Sequence, residues 1–236
     1  MITFRKVHIG YTSSLIHVNE MCLEKGFFYT VIGKNGIGKT TLMNTLLGLI
    51  PALDGEILID SKNISKMPVS ERAKMVAYVP SRFEGVQHLS ARDYIAMGRA
   101  PYTNFTGKLS LADLQIVDDV IVQLGIQHLS EKDTSRLSDG ERQIASIAKA
   151  LVQQTPVILL DEPTAFLDYA NRMSVQRILK EVARVSDVCI LQSSHDLELC
   201  IEFSDKLLVI DAQTKKVVHL ENENLSRQQV IEIAFC

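Results

Sequence analysis

The sequence lacks three features that would each assign it to a particular class of protein. None of its apolar runs approaches the ~20 residues that a helix needs to cross a bilayer. Its four cysteines form no C-x-x-C pair and no cluster with histidine, which argues against a zinc site and favours thiols kept in a reducing compartment. It also has no basic excess, since 25 Lys and Arg face 28 Asp and Glu, and we therefore expect no nucleic-acid partner.

The N-terminus also lacks the apolar segment of a secretory signal. Together with the absence of a membrane-spanning run, this predicts a cytoplasmic protein. Any role at a membrane would then depend on a partner that spans it.

The rest of the composition is that of an ordinary folded protein. The chain has 236 residues, of which 46% are hydrophobic and 22% charged, enough for a substantial core. Strand-length apolar runs alternate with helical patterns towards both ends, whereas residues 81–154 are mainly helical. This predicts an α/β fold with a mainly parallel central sheet, antiparallel strands near the N-terminus and an inserted helical subdomain.

The predicted elements follow from these patterns. Strands are predicted over residues 4–9, 27–32, 56–60, 76–79, 157–160, 188–192, 207–210 and 217–220. Helices are predicted over residues 42–47, 67–72, 90–97, 110–124, 144–151, 170–185 and 225–236, with a loop over 98–104. We predict a single domain over residues 1–236, with a core of residues 1–84 and 155–220, a helical subdomain of residues 85–154 and a C-terminal helix of residues 225–236.

Residues 33–41 match the phosphate-binding pattern G-x-x-x-x-G-K-[ST]. An apolar run precedes them and a helical pattern follows, which argues against a glycine-rich turn with a chance lysine. Backbone N–H groups of such a turn and the helix N-terminus together bind phosphate. Lys39 would add a positive charge at the β- and γ-phosphates, and the Thr40 hydroxyl would be a ligand of Mg²⁺. The predicted phosphate-binding residues are Gly33, Asn35, Gly36, Gly38, Lys39, Thr40 and Thr41.

Asp161 and Glu162 follow a buried strand, at the place where α/β folds bind ligands. Asp161 is a candidate Mg²⁺ partner opposite Thr40, and Glu162 a candidate acceptor of a proton from an attacking water. His195 follows another apolar strand, where it would hydrogen-bond the γ-phosphate and hold the water in line. The alternatives are that the two acids merely begin a helix and that His195 is a surface residue.

Taken together, these segments resemble the ATP-binding subunit of an ABC transporter. The resemblance rests on residues 33–41, 137–141, 160–163, 165–168 and His195, and their order and spacing extend it over residues 1 to about 220. It implies a P-loop NTPase core of the RecA-like type and ATP hydrolysis, with Lys39, Glu162 and His195 as catalytic residues and Thr40 and Asp161 holding Mg²⁺. Tyr11 matches the aromatic loop of that family, which stacks on adenine, although tyrosines more often pack half-buried.

The resemblance also implies that two copies act together around two ATP molecules. The segment formed by Ser138, Asp139, Gly140 and Glu141 would face the phosphate loop of the second copy, with Ser138 touching the γ-phosphate. Asp168 resembles the aspartate that couples the two sites. ATP would close this homodimer, and hydrolysis would reopen it and move attached integral-membrane permease subunits. The resemblance thus implies a peripheral location on the inner face of the cell membrane and indirect cooperation with an extracytoplasmic substrate-binding protein.

Two residues depart from the family pattern. Ser81 stands where the family has a glutamine that contacts Mg²⁺ and the attacking water, and serine is shorter and lacks the amide. A bridging water could fill the gap, or Gln87 could substitute from a different loop path. Asp139 stands where glycine is usual, and it adds negative charge near a phosphate.

Residues 94–102 resemble a stretch of the ATPases that serve iron-siderophore, haem and cobalamin importers. The leading hypothesis is therefore the ATPase of a metal-chelate importer. One alternative is a nucleotide-gated binding module that hydrolyses poorly because of Ser81. Another is a soluble ABC ATPase acting on ribosomes or DNA, although such proteins usually have tandem cassettes or coiled-coil insertions, which this sequence does not show.

Overall fold

The computed structural model of the protein describes residues 1–104, 107–222 and 226–235. Within these ranges the strands are β1 (Ile2–Gly10), β2 (Ser14–Val18), β3 (Met21–Leu23), β4 (Phe28–Ile32), β5 (Asp54–Ile59), β6 (Lys62–Asn63), β7 (Val76–Val79), β8 (Val157–Asp161), β9 (Cys189–Ser193), β10 (Lys206–Ile210) and β11 (Val217–Glu221). The α-helices are α1 (Lys39–Leu46), α2 (Val69–Arg72), α3 (Ala91–Ala96), α4 (Leu111–Gln123), α5 (Asp139–Val152), α6 (Tyr169–Val185), α7 (Leu197–Phe203) and α8 (Arg227–Phe235). Short 3₁₀ helices cover Ile64–Lys66, Met97–Tyr102, Gln127–Leu129 and Thr134–Arg136.

The central sheet has the strand order β11-β10-β4-β9-β8-β7. The neighbours from β10 to β7 are parallel, and β11 joins the edge antiparallel to β10. Every residue of β4 and β9 is buried, as expected for continuous apolar strands covered on both faces. Because the strands are parallel, the loops that follow β4, β7, β8 and β9 meet at one edge of the sheet.

A second, antiparallel sheet is built from the N-terminal part of the chain. Its order is β2-β1-β5-β6, and β3 also pairs with β1. Helix α1 lies between the two sheets, because Leu42, Met43 and Leu46 share one buried apolar cluster with residues of both. This arrangement buries α1 on both sides and fixes the glycine-rich loop that precedes it.

The other face of the central sheet is covered by helices. Apolar residues of α3, α4, α5, α6 and α7 form one buried cluster with β7, β8 and β9. The predicted helix starts at Ser90 and Ser110 are confirmed, since each hydroxyl accepts the N–H of the residue three positions on. At Ser110 the carboxylate of Asp113 also accepts the Ser110 N–H, which completes a capping box. No described helix is long and apolar enough to span a membrane.

The predicted fold class is confirmed: an α/β protein with a mainly parallel central sheet, antiparallel N-terminal strands and a helical region between β7 and β8. The predicted loop over residues 98–104 is wrong for its first part, where Met97–Tyr102 forms a 3₁₀ helix. Of the predicted C-terminal helix, α8 covers residues 227–235, and residues 225 and 236 lie outside the described ranges.

The 3₁₀ helix depends on Arg99, whose side chain is only 6% exposed. Its guanidinium donates to Asp113 Oδ1 at 2.9 Å and to the Val152 carbonyl at 2.8 Å, and lies 3.9 Å from the centre of the Tyr102 ring. The contacts with Asp113 and Val152 join the 3₁₀ helix to α4 and to the end of α5. These contacts are distant in sequence, which is why local patterns predicted a loop.

Candidate active site

The glycine-rich loop connects β4 to α1 and has the backbone geometry of an anion cradle. Gly36 and Gly38 have φ angles of +75° and +118°, which side chains other than hydrogen rarely tolerate. A Cβ at Gly38 would also lie 2.9 Å from Ile16 Cδ1, so strand β2 packs directly against the loop. Gly38 therefore has both a conformational and a steric reason to be glycine.

Lys39 is buried at the first turn of α1, with its ammonium inside the loop. Lys39 Nζ donates to the Gly33 carbonyl at 2.8 Å and to the Lys34 carbonyl at 3.3 Å. Burial lowers the pKa of Lys39, and the nearby carboxylates of Glu162 and Asp161 oppose that shift. The ammonium thus belongs to a charge cluster that joins the loop to the end of β8.

Asp161, the last residue of β8, connects the loop to β9. Its Oδ2 accepts from Thr40 Oγ1 at 3.3 Å, and its Oδ1 accepts from Ser193 Oγ at 2.6 Å. Burial and the charge of Asp161 raise the pKa of Tyr78 on β7. The structure therefore brings together Thr40 and Asp161, the two residues that the sequence predicted as Mg²⁺ ligands.

Glu162 follows Asp161 and has a left-handed backbone, with φ of +47°. Its N–H donates to Ser193 Oγ at 3.0 Å, and its Oε2 lies 3.4 Å from Nδ1 of His195. Both side chains remain partly exposed, at 30% for Glu162 and 57% for His195. This geometry leaves the carboxylate and the imidazole accessible to a ligand.

These groups surround an open cleft of about 460 Å³. Its lining residues are Asn35, Gly36, Gly38, Lys39, Thr40, Thr41, Glu162 and His195. The walls of the cleft are formed by glycine backbone, the N-terminus of α1, the Lys39 side chain and the Glu162–His195 pair. Such a set can bind a polyphosphate and accept a proton from a water beside it.

Gly33 and Asp161 contact the lining residues Lys39 and Thr40 but do not themselves line this cleft. Four other predicted segments do not line it either in the described structure. Tyr11 is 63% exposed at the turn between β1 and β2, the strand pair that packs against Gly38. Asp168 caps α6 by accepting the Asn171 N–H at 2.9 Å. Ser81 lines a small cavity beside the start of α5, and Gln87 is exposed on the same loop.

The fourth segment, Ser138 to Glu141, forms the N-terminus of α5. Ser138 caps the helix, and its N–H donates to Glu141 Oε2 at 2.8 Å, a contact that lowers the pKa of Glu141 together with the ion pair from Lys132. Asp139 accepts from Arg142 at 2.6 Å, and this hydrogen bond lowers the pKa of Asp139. The extra carboxylate at position 139 is thus already paired within the helix.

Gly140 has a steric role at the start of α5. A Cβ there would lie 2.7 Å from Asn171 Oδ1, at the first turn of α6. The glycine therefore lets the N-termini of α5 and α6 approach closely.

Sequence reasoning missed Ser193. Its hydroxyl contacts both Asp161 and Glu162, yet it is one serine in a strand that ends in polar residues. The available signal was a polar residue at the end of a buried strand next to β8.

With this geometry in place, comparison with known proteins gives the family. Residues 16–165 match the ABC transporter family, and the chain belongs to that family as an ATP-binding subunit. The chain is 33% identical over 214 residues to the achromobactin transport ATP-binding protein of Dickeya dadantii, covering 90% of this chain and 80% of that protein. It is 32% identical over 211 residues to the petrobactin import ATP-binding protein of Bacillus anthracis, covering 89% and 78%.

A solved structure of similar fold comes from an inward-facing ABC transporter described as of the metal-chelate type. It superposes with a TM-score of 0.83 at 26% identity, over 98% of this chain and 88% of that one. The P-loop NTPase fold of an ABC ATPase, which the sequence resemblance implied, is thereby confirmed. ATP-binding subunits of this family work with membrane permease components and dimerise.

Proposed function

We propose that the protein hydrolyses ATP and thereby drives an importer for metal chelates. The observation that carries this proposal is the convergence, at one edge of the central sheet, of the Lys39 ammonium, the Thr40–Asp161 pair and the Glu162–His195 pair. The first two bind and orient a nucleotide in P-loop enzymes, and a carboxylate beside a histidine is suited to general-base chemistry.

The residues present fit a nucleotide with Mg²⁺. Gly36 has open space where a Cβ would be, which leaves room for phosphate oxygens, and the N-terminus of α1 borders the same cleft. The Thr40 hydroxyl and the Asp161 carboxylate, 3.3 Å apart, are the hard oxygen ligands that Mg²⁺ prefers. The bound ion would neutralise phosphate charge.

Each residue around the cleft then has a chemical role in the proposal. The Lys39 ammonium attracts the negatively charged phosphates of ATP into the glycine-rich loop. Glu162 accepts a proton from the attacking water, and His195, 3.4 Å from that carboxylate, holds the water and the γ-phosphate in line. Tyr11 stacks on adenine, which is supported by the packing of its strand pair against Gly38.

The proposal requires a second copy of the chain. Ser138 and the N-terminus of α5 are outside the cleft of their own chain, and the partly exposed helix start is available to the phosphates of a partner's nucleotide. Asp168 accepts the N–H of Asn171, and Asn171 packs against Gly140 at the start of α5. In the proposal, Asp168 couples the two ATP sites of the dimer. The proposal keeps the predicted single domain over residues 1–236 and directs the helices of residues 85–154 towards the permease.

The assignment to metal-chelate import is supported by the names of the relatives. Two similar proteins are named for achromobactin transport and petrobactin import, and a solved structure of similar fold is described as of the metal-chelate type. We propose iron-siderophore, haem or cobalamin-type chelates as cargo, integral-membrane permease subunits as direct partners, an extracytoplasmic binding protein as an indirect partner, and a peripheral position on the inner face of the cell membrane.

Steady-state ATPase activity with Mg²⁺ tests hydrolysis. We expect Glu162→Gln to lower kcat by about 100-fold or more, because it removes the base and leaves the loop intact. Glu202→Gln, which alters an exposed glutamate of α7, is the control and should match the wild type. A wild-type rate no higher than that of Glu162→Gln, with normal ATP binding, would favour the alternative of a nucleotide-gated module, which the position of Ser81 outside the cleft also supports.

A deletion strain of the source organism tests the cargo. The strain is grown with a ferric siderophore or haem as the sole source of iron, or with cobalamin as the sole source of that cofactor. On at least one of the three, growth should fail in the deletion strain, be restored by the wild-type gene and stay absent with Glu162→Gln. Normal growth of the deletion strain on all three, together with active ATPase in vitro, would refute the cargo class and leave the hydrolytic assignment intact.

A further inference from the structure

Ser193 is a buried polar residue at the end of β9, an inner strand of the central sheet. It is the last residue of β9, it is 0% exposed, and it pairs in register with Asp161 at the end of β8. A hydroxyl at this depth requires hydrogen-bond partners, because an unpaired one would cost free energy. Both of its partners belong to the candidate active site.

The Ser193 hydroxyl donates one hydrogen bond and accepts another, and its two partners are consecutive acidic residues. It donates to Asp161 Oδ1 at 2.6 Å and accepts the N–H of Glu162 at 3.0 Å. The short distance to Asp161 is that of a charge-assisted hydrogen bond to a carboxylate. One side chain therefore orients the carboxylate of Asp161 and the backbone of Glu162 together.

The contact with Glu162 matters because that residue has an unfavourable backbone. Its φ of +47° lies in the left-handed region, which costs a non-glycine residue free energy and persists only where the surroundings hold it. The β8–β9 ladder ends at the Asp161–Ser193 pair, so the Ser193 side chain supplies the acceptor for the next N–H. This contact holds the turn that directs the Glu162 carboxylate towards His195.

We infer that Ser193 is a positioning residue that holds Asp161 and Glu162 in their working geometry. The inference rests on the proposed ATPase function and extends it to a residue with no contact to the cleft. Because Asp161 Oδ1 is engaged by Ser193, the opposite oxygen, Oδ2, is turned to Thr40, and these two residues would hold the metal ion. Removal of the hydroxyl should therefore weaken metal binding and hydrolysis together, without weakening the binding of the nucleotide by Lys39 and the glycine loop.

The test compares Ser193→Ala with Ser193→Thr, which retains a hydroxyl, and with Ser204→Ala as a matched control. Ser204 is also buried, and its hydroxyl bonds to Thr30 at 2.6 Å, away from the cleft. Three quantities are measured for each variant: kcat of the ATPase, the ATP dissociation constant, and the affinity for Mn²⁺ in the presence of a non-hydrolysable ATP analogue, followed by electron paramagnetic resonance. Thermal melts confirm that each variant is folded.

We expect Ser193→Ala to lower kcat and Mn²⁺ affinity by about tenfold each, with an ATP dissociation constant within about twofold of the wild type. Ser193→Thr should recover most of both losses, and Ser204→Ala should change neither. If folded Ser193→Ala matches the wild type in kcat and Mn²⁺ affinity, or if Ser204→Ala shows the same losses, the inference is overturned.

The proposed function and the inference can fail separately. A wild-type protein without ATPase activity would refute the proposed hydrolysis, and the Mn²⁺ affinity would then decide on Ser193 alone. Weaker Mn²⁺ binding by Ser193→Ala would still support the positioning role, and unchanged binding would refute it.

Discussion

Ser81 stands where the family resemblance predicts a glutamine, so we expect it to be the residue at which this chain departs most from the chemistry of ABC ATPases. Its position follows β7, yet its side chain borders a small cavity with Asp139, Arg142 and Phe166 and does not line the nucleotide cleft. The neighbouring Arg82 lies 5.5 Å from the centre of the Phe166 ring. In this structure the segment after β7 is therefore packed towards the starts of α5 and α6.

A glutamine at position 81 is longer by two carbons and has an amide, so it can reach towards the cleft. We expect Ser81→Gln to raise kcat about fivefold, the equivalent of one additional hydrogen bond of ~1 kcal/mol in the transition state. Gln87→Ala is the control, and it should leave kcat unchanged because Gln87 is exposed on the loop. A fall in kcat with Gln87→Ala, and no gain with Ser81→Gln, would show that Gln87 substitutes for the family glutamine.

The residues around the cleft were predictable because parallel strands end at the same edge of a sheet. That rule places Lys39, Thr40, Asp161, Glu162 and His195 at one edge of the predicted sheet. Ser193 was not predictable in the same way, because its contacts depend on the adjacency of β8 and β9 and on the left-handed turn at Glu162. The packing of Ser81 depends equally on contacts with α5 and α6, which no local pattern encodes.

At the scale of elements, the 3₁₀ helix Met97–Tyr102 lies in the stretch that resembles importer ATPases in sequence, and it has a structural role. Arg99 within it is buried and joins the helix to α4 and to the end of α5. Local patterns predicted the starts of α3 and α4, because Ser90 and Ser110 are caps that sequence can identify. They did not predict the 3₁₀ helix, because Arg99 bonds to residues far along the chain.

Arg99→Ala should therefore destabilise the helical region. It removes three hydrogen bonds and leaves the Asp113 carboxylate and the Val152 carbonyl with fewer donors. We expect the melting temperature to fall by about 5–10 °C, measured by circular dichroism. Arg177→Ala on the exposed face of α6 should change the melting temperature by less than about 2 °C. An equal fall for both variants would contradict the stabilising role of the Arg99 hydrogen bonds.

Asp113 should make the same region sensitive to acid. Hydrogen bonds from Ser110, followed by the one from Arg99, lower the pKa of Asp113 from 3.8 to about 2. Because the folded pKa is the lower one, this carboxylate contributes stability that is complete above the unfolded pKa, near 3.8, and is lost as the pH falls towards 2.

Urea unfolding of the wild type and of Asp113→Asn over pH 6 to 2.5 measures this contribution. The wild type should be more stable at pH 6, and the difference in the free energy of unfolding should shrink as the pH falls below about 4. A difference that stays constant over the whole range would mean that ionisation of Asp113 does not contribute to stability.

At the scale of the whole molecule, the proposed site is incomplete in one chain, because Ser138 and its helix N-terminus lie outside the cleft that contains Lys39. We expect Glu162→Gln to bind ATP and to hydrolyse it slowly, and therefore to double its mass from 26.4 kDa in the presence of ATP, measured by light scattering after gel filtration.

Adding Ser138→Arg to that variant should keep it monomeric with ATP, since a bulky charged side chain at the α5 start would block the approach of a partner. The same protein without nucleotide is the control for ATP dependence. A dimer that forms equally with and without ATP, or that persists with Ser138→Arg, would contradict a nucleotide-bridged interface.

The position of α1 between the two sheets has a mechanical consequence. Its apolar residues pack on both sides, and strand β2 rests against Gly38 at its start. A helix packed on both sides cannot shift without disturbing both sheets, so we expect the glycine loop, the antiparallel sheet and the central sheet to move as one unit. We therefore expect a displacement of the glycine loop on phosphate binding to be passed to both sheets together, because α1 cannot absorb it alone.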